Sequence, residues 1–106
     1  MKEVTASNLL LDKTTTGAGS SSGPAPSGRK SFQVIVNGTG VVSATVDIEV
    51  SNNNSNFFAM TTVAVTGTTT ANDGFATDAP WRYYRANVTA IAGTGAKVSV
   101  LVGEVQ

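Results

Sequence analysis

The stretch from Val41 to Ser51, VVSATVDIEVS, alternates between apolar and polar residues with a period of two. This period describes a β-strand that buries one face and exposes the other. The whole chain has a matching composition, because valine, isoleucine and threonine make up 32 of its 106 residues, whereas leucine occurs four times and glutamate three times. β-Branched side chains favour strands, so the sequence predicts an all-β protein. In this stretch the residues assigned to the buried face are Val42, Ala44, Val46, Ile48 and Val50.

Turn signals divide the rest of the chain into further strands. The segment SFQVIVNG alternates in the same way, with Phe32, Val34 and Val36 on one face, and it runs into NGTG at residues 37–40, which is typical of a turn. The segments WRYYRANVTAIA and AKVSVLVGEV flank GTG at residues 93–95 and predict a hairpin. Such signals recur about every ten residues. We therefore predict an antiparallel β-sandwich, jelly-roll-like, with six to eight strands and a flexible N-terminal segment.

The N-terminal part of the chain has a different composition. Residues 14–28, TTTGAGSSSGPAPSG, carry no charge and no side chain larger than threonine or proline, which predicts a flexible linker. The predicted organisation is an N-terminal strand or arm at 1–13, the linker at 14–28 and the β-sandwich domain at 29–106. Two arrangements of the arm are open: it adds a strand to a neighbouring protein, or it folds back as the first strand of its own sheet. Its candidate interface residues are Leu9, Leu10 and Leu11.

The charges and the missing residue types limit the chemistry of the chain. Seven basic and seven acidic residues give a net charge of zero, so we expect no nucleic-acid partner and no membrane association. The chain has no histidine and no cysteine, which removes the commonest general base and any thiol chemistry. Asp47 and Glu49 share one face of a strand, and a solvated polar face explains them better than an acid–base pair. We expect no enzymatic activity, no cofactor and no metal.

The segment PWRYYRAN, residues 80–87, contains the single tryptophan, both tyrosines and two of the three arginines. On a strand, Trp81, Tyr83 and Arg85 lie on one face, and Arg82 and Tyr84 lie on the other. Aromatic residues and arginine are enriched at protein interfaces, so these five are candidate interface residues. Two alternatives are open. One face packs in the core while a loop shields the other, or the rings stack on sugars or bases.

The C-terminal half of the chain, from Val46 to Glu104, has the sequence VDIEVSNNNSNFFAMTTVAVTGTTTANDGFATDAPWRYYRANVTAIAGTGAKVSVLVGE. It contains a strand that ends in SN before a polar turn, a DGF turn, an aromatic–arginine strand and a GTGA turn before a valine-rich strand. In this pattern it resembles small tail and capsid accessory proteins of tailed bacteriophages and prophages. The resemblance implies a structural protein of the virion that is assembled in the cytoplasm of the bacterial host and has no enzymatic activity.

Within that family we expect a capsid decoration or cement protein that stabilises the head by bridging capsid subunits. The expected partners are the major capsid protein or other virion proteins, and the chain is expected to form a homo-oligomer, a dimer or a trimer. The alternative is a carbohydrate-binding module associated with a tail or fibre. In that alternative, Trp81, Tyr83 or Tyr84 stacks on a glycan, and Asn52 to Asn56 supply polar contacts.

Overall fold

The computed structural model describes residues 4–23 and 29–105. In these ranges all regular secondary structure is β-strand, which confirms the predicted all-β class. The described residues include no helix that is long and apolar enough to cross a membrane. Three of the strands have 20 residues or more, against about five or six in a typical strand. The strands are β1 (Val4–Lys13), β2 (Gly17–Ala18), β3 (Lys30–Ser51), β4 (Phe58–Thr77) and β5 (Tyr83–Val105).

The strands form one antiparallel sheet in the order β1-β5-β3-β4, and β2 also pairs with β5. The central strand is β3, which pairs with β4 on one side and with β5 on the other along most of its length. Val46 of β3 lies opposite Val63 of β4 and Val88 of β5. Such rows of valine suit a buried sheet face, because β-branched side chains pack well on a pleated surface.

A line of irregular residues crosses the three long strands near their midpoints. Thr39 of β3 lies opposite Thr94 of β5, with a register shift on each side. Gly40, Thr69 and Gly93 have positive φ angles of 72°, 61° and 120°. Such residues let the backbone bend while the neighbouring strands stay paired. We call this line of five residues the crease.

The crease explains why the number of strands differs from the prediction. The sequence predicts turns between separate strands at NGTG and GTG. In the structure both motifs lie inside long strands, NGTG in β3 and GTG in β5, and they face each other across the sheet. Residues 4–23 and 29–105 therefore form five strands in one hydrogen-bonded sheet, in place of the predicted six to eight strands.

The bend at the crease brings the two halves of the sheet face to face. Phe32, near the start of β3, contacts Tyr84, near the start of β5, with ring centroids 5.6 Å apart and an edge-to-face geometry. In the sheet register Tyr84 lies opposite Val50, at the far end of β3, so this contact joins the two ends of the central strand. The molecule measures 39 × 35 × 17 Å along its principal axes.

The core lies between the two halves and follows the predicted alternation. The five residues assigned to the buried face between Val41 and Ser51 are at most 2% exposed, which confirms that assignment. The first half of β3 buries the three residues predicted for it. The remaining buried apolar residues of the long strands are Val63, Val65, Tyr84, Ala86, Val88, Ala96, Val98, Val100 and Val102.

The N-terminal segment runs antiparallel along the outer edge of β5. β1 pairs with the C-terminal half of β5 as far as Lys13, which lies opposite Val98. β2 then pairs with the N-terminal half, and Ser22 exchanges two backbone hydrogen bonds with Tyr84, of 2.8 and 3.1 Å. The structure thus has the arm folded back on its own sheet, and part of the predicted linker is hydrogen-bonded to β5. Residues 1–3 of the predicted arm, 24–28 of the predicted linker and 106 of the predicted domain lie outside the described residues.

Candidate functional site

Aromatic and arginine side chains gather where β3 ends and where β4 and β5 begin. The antiparallel register produces this grouping, because Val50 at the end of β3 lies opposite Phe58 of β4 and Tyr84 of β5. The segments that precede β4 and β5 therefore meet at one end of the sheet. We call this region the aromatic–arginine surface, and it consists of Phe57, Phe58, Trp81, Arg82, Tyr83 and Arg85.

Trp81 and Phe58 form the apolar part of this surface. Their ring centroids are 5.0 Å apart with an interplanar angle of 81°, an edge-to-face pair of the kind that stabilises aromatic clusters. Trp81 packs against the core and is half-buried, whereas Phe58 is 51% exposed. The pair therefore presents a large apolar side chain to solvent on a support that is fixed to the core.

Arg85 is held between a carboxylate and an aromatic ring. Its Nε donates a 2.7 Å hydrogen bond to Glu49 Oε1, and its guanidinium carbon lies 4.2 Å from the centroid of Phe57. Asn87 Nδ2 donates to the second oxygen of Glu49 at 3.0 Å. Because the Arg85 side chain is 32% exposed, the ion pair stabilises the fold by at most about 1 kcal/mol. Its main effect is to fix the orientation of the guanidinium group.

The two carboxylates of β3 have cross-strand partners, as expected of a polar outer face. Glu49 binds Arg85 and Asn87 of β5, and Asp47 accepts a 2.6 Å hydrogen bond from Thr62 Oγ1 of β4. Both carboxylates therefore contribute to pairing of the sheet.

The asparagine-rich loop after β3 is ordered by its own side chains. Asn53 Oδ1 accepts hydrogen bonds from the backbone N–H groups of Ser55 at 3.0 Å and Asn56 at 2.9 Å, and its Nδ2 donates to Asn56 Oδ1 at 3.0 Å. Asn52 Oδ1 accepts a 3.3 Å bond from the N–H of Arg82. The loop is thus fixed to the aromatic–arginine surface, and the amide group of Asn53 is used in holding the loop together.

The predicted interface residues of the segment 80–87 differ in how far they are exposed in the structure. Trp81, Tyr83 and Arg85 are half-buried, and Arg82 is exposed. Tyr84 is only 3% exposed and belongs to the core, so its assignment as an interface residue is wrong. Because successive side chains of a strand point to opposite faces, Tyr84 points between the two halves of the sheet. Trp81 and Arg82 precede β5 and do not follow the alternation, and Trp81 packs against the core on the side of Tyr84.

Burial also changes the acidity of Tyr84. Desolvation by burial, together with a hydrogen bond to the negatively charged Glu104, raises the pKa of Tyr84 to about 12. The hydroxyl donates this bond to Glu104 Oε1 over 2.5 Å. Because Tyr84 and Glu104 lie near opposite ends of β5, the bond fastens one half of the folded sheet to the other.

The three leucines of β1 lie in three different environments. Leu9 is 9% exposed and belongs to the core, Leu10 is half-buried against the core, and Leu11 is 64% exposed. The assignment of Leu9 as an interface residue is therefore wrong, because its side chain is buried in its own chain. A register shift between Asn8 and Leu10 accompanies this distribution. Leu11 is the accessible member of the three.

Phe57 and Phe58 belong to the aromatic–arginine surface although they are not among the interface residues predicted from the sequence. In the structure β4 begins at Phe58, so Phe57 lies outside the strand and contacts Arg85. The sequence feature that could have identified them is a pair of consecutive aromatic residues directly after a polar loop. An alternating strand buries only one of two such neighbours.

A separate cleft lies beside the crease and has a volume of about 250 Å³. Among the side chains that line it, Lys97 is the charged one. In residues 4–23 and 29–105, no three His, Cys, Asp or Glu side chains are arranged to hold a metal ion. The aromatic–arginine surface combines accessible aromatic groups with a fixed arginine, and it is the stronger candidate functional site.

The fold and this surface define a small all-β protein whose candidate site is a binding surface. The fold is similar to that in the crystal structure of the SPBc2 prophage-derived protein YomS. The comparison has a TM-score of 0.65 and 13% sequence identity, and it covers 100% of this chain and 96% of YomS. At this identity the similarity shows a shared fold and carries no function with it. No protein-family model and no curated protein matches the sequence.

Proposed function

We propose that the chain is a structural protein of a bacteriophage virion, a capsid decoration or cement protein that stabilises the head by bridging capsid subunits. In this role the folded sheet is a thin, sandwich-like slab that acts by binding, as a homo-oligomer and without catalysis, cofactor or metal. The sequence resemblance from Val46 to Glu104 supports the phage assignment. The fold shared with a protein described as prophage-derived also supports it.

The observation that carries the proposal is the aromatic–arginine surface. Tryptophan, tyrosine and arginine contribute most of the binding energy at protein interfaces. Here Trp81 is supported by Phe58, and Arg85 is supported by Glu49. Side chains that are already ordered lose less conformational entropy on binding, so this surface is preorganised for a protein partner.

The contact with capsid protein is expected to depend weakly on ionic strength. The chain has a net charge of zero, and within the surface Glu49 neutralises Arg85, so Arg82 is the remaining exposed arginine of the surface. A single arginine gives little electrostatic steering, so raising the salt concentration should change the affinity by less than about threefold. A steep loss of binding at high salt would contradict a mostly neutral contact.

The direct test is binding of the purified full chain to phage heads that were assembled without it, and separately to tails, measured by cosedimentation. We expect binding to heads and a loss of about 30-fold or more in Trp81→Ala, because a hot-spot tryptophan contributes about 2 kcal/mol or more. The control is Val41→Ala, which removes an apolar side chain that is 70% exposed near the crease and should leave binding unchanged. Thermal melting checks that both variants fold. Binding only to tails, no binding, or equal losses in both variants would refute the decoration role.

One observation favours the carbohydrate-binding alternative, since the bond from Arg82 N–H to Asn52 places the asparagine-rich loop beside the aromatic residues. Two others weigh against it. The amide of Asn53 is occupied within the loop, and Trp81 already packs against Phe58. A glycan array distinguishes the two functions. Selective glycan binding that is lost in Trp81→Ala and kept in Val41→Ala would replace the decoration role by a carbohydrate-binding module.

A further inference from the structure

The sheet has two edge strands, β1 and β4, and each pairs with one long strand in the described residues. β1 has ten residues, contains two register shifts against β5 and ends in the charged residues Asp12 and Lys13, which are features that limit pairing with a further strand. β4 is twice as long and pairs with β3 alone. Along its 20 residues, the backbone N–H and C=O groups that point away from β3 therefore form a row with no neighbouring strand in the described residues.

Apart from one bulge near its start and the crease, β4 lacks the features by which proteins usually prevent a free edge from pairing. Those features are lysine and proline residues, inward-pointing charges, β-bulges and a short strand length, and the bulge leaves Met60 without a partner in the register with β3. From Phe58 to Asn72 the strand has no charged residue and no proline, and its first charge is Asp73. Its side chains are mostly threonine, alanine and valine, which favour or tolerate sheet pairing, and Phe58 is half exposed at its start. The edge is therefore free to accept another strand.

We infer that the first half of β4, Phe58–Gly67, pairs antiparallel with the same segment of a second copy of this chain, about a two-fold axis. A two-fold contact sets residues of the segment against residues of the same segment. A charged strand would bring like charges together in this arrangement, but this segment carries none. The second half of β4 is less suitable, because a pairing centred there brings Asp73 of each copy toward the other.

Pairing along this segment explains how one small protein bridges two capsid subunits. Phe58 marks one end of the paired segment, so antiparallel pairing places the two aromatic–arginine surfaces at opposite ends. Ten residues at about 3.4 Å each separate the surfaces by roughly 30 Å. A dimer then binds two neighbouring sites and gains avidity over a monomer. This bridging step rests on the proposed function, whereas the pairing itself rests on the β4 edge.

The first test is the oligomeric state of the full chain, measured by sedimentation velocity over a concentration series. We expect the unmodified protein to be a dimer. The double variant Ala64→Lys, Thr66→Lys adds charge at two exposed positions of the segment and should weaken dimerisation by about tenfold or more, because it brings four positive charges into one short contact. The control Ala6→Lys, Asn8→Lys adds the same charge at exposed positions of β1 and should remain dimeric. A monomeric unmodified protein, or equal effects of both double variants, overturns the proposal.

The second test does not depend on the stability of a charged variant. The chain has no cysteine, so a single introduced cysteine reports contact between two copies. Single cysteines at each position from 61 to 66 should include one near the two-fold axis, where the two Cα atoms lie about 4.5–5.5 Å apart and a disulfide can form. Ala6→Cys on β1 is the control and should form no such dimer. Failure to cross-link at every one of these positions overturns the pairing.

Failure of the pairing and failure of the proposed function give different results. Head binding by a protein that sediments as a monomer would show that the β4 pairing is wrong while the decoration role holds. A dimer that is disrupted by lysine at Ala64 and Thr66 but binds no head would support the pairing and refute the decoration role.

Discussion

Replacing Tyr84 by phenylalanine removes one hydroxyl group and tests whether the two halves of the sheet pack against each other across the crease. The hydroxyl of Tyr84 donates a 2.5 Å hydrogen bond to Glu104. In a fully extended strand these two residues would be roughly 65 Å apart, so the bond exists only because β5 bends. The phenyl ring of the variant can keep the edge-to-face contact with Phe32. The substitution therefore removes the hydrogen bond and leaves the packing in place.

A hydrogen bond to a charged group contributes about 1.5–3 kcal/mol. Folding raises the pKa of Tyr84 from 10.0 to about 12, first through desolvation by burial and then through the hydrogen bond to Glu104. Each pKa unit corresponds to about 1.4 kcal/mol, so about 3 kcal/mol of stability depends on Tyr84 keeping its proton. Because the pKa is higher in the folded than in the unfolded state, this stabilisation is fully present below about pH 10 and is lost as the pH rises toward about 12.

Urea denaturation near neutral pH and near about pH 11 measures both effects. We expect Tyr84→Phe to lower the free energy of unfolding near neutral pH by about 1.5–3 kcal/mol. We also expect it to show a smaller loss between the two pH values than the unmodified protein shows. Tyr83→Phe is the matched control, because Tyr83 is the half-buried neighbour on the outer face of the same strand. The same pH-dependent loss in Tyr84→Phe and in the unmodified protein would refute the linkage between Tyr84 and the folded sheet.

Five further substitutions test the crease, the N-terminal strand and the core. Gly93→Ala should destabilise the protein by about 2–5 kcal/mol, because its Cβ would lie 2.8 Å from a backbone oxygen of β3 at a φ of 120°. Gly40→Ala, at a φ of 72° with nothing within 4 Å, should cost only about 1–2 kcal/mol, and thermal melting compares the two. Leu9→Ala should cost about 2–5 kcal/mol and Leu11→Ala less than about 0.5 kcal/mol, and equal losses in urea denaturation would contradict the register of β1. Phe32→Ala should cost about 3–5 kcal/mol, and a loss below about 1 kcal/mol would contradict its place between two aromatic rings.

The sequence predicted which side of β3 faces the core, because alternation is a local property of the chain. It assigned Val42 and Ile48 to the buried face from their spacing alone, and both are fully buried. It also placed Tyr83 and Tyr84 on opposite faces of β5, and the structure agrees. The alternation failed where pairing stops, at Trp81 and Arg82, because a residue outside the strand is not constrained to either face.

The length of the strands could not be predicted in the same way. Glycine-containing segments such as NGTG and GTG suit a hairpin turn and also a bulge inside a strand. The outcome depends on what lies opposite each motif. Thr39 lies opposite Thr94, and a Cβ on Gly93 would meet the carbonyl oxygen of Val41 at 2.8 Å. The two motifs therefore fit against each other across the sheet, a long-range pairing that neither motif shows alone.

The glycine- and serine-rich segment illustrates the same limit. Small residues indicate a flexible linker when the sequence stands alone. In the structure Gly19 donates a 2.8 Å backbone hydrogen bond to Ala86, and a Cβ at Gly19 would lie 2.7 Å from Leu10 Cδ1. Small side chains thus also let this segment lie close against β5 and β1. Composition alone does not separate these two uses.

The free β4 edge and the aromatic–arginine surface share one residue, Phe58. We therefore expect a substitution at Trp81 to affect head binding alone and a substitution at Phe58 to affect both head binding and dimerisation. A second copy paired along β4 lies beside Phe58, whereas Trp81 and Arg82 precede β5 and do not belong to the paired segment. Trp81→Ala should therefore weaken head binding and leave the dimer intact, while Phe58→Ala should weaken both by about fivefold or more, since an exposed aromatic anchor contributes more than about 1 kcal/mol at each contact. Sedimentation velocity and cosedimentation of the same two variants measure this difference. If Phe58→Ala changes neither, the pairing segment and the docking surface do not meet at this residue, and the placement of the two surfaces at the ends of the dimer is wrong.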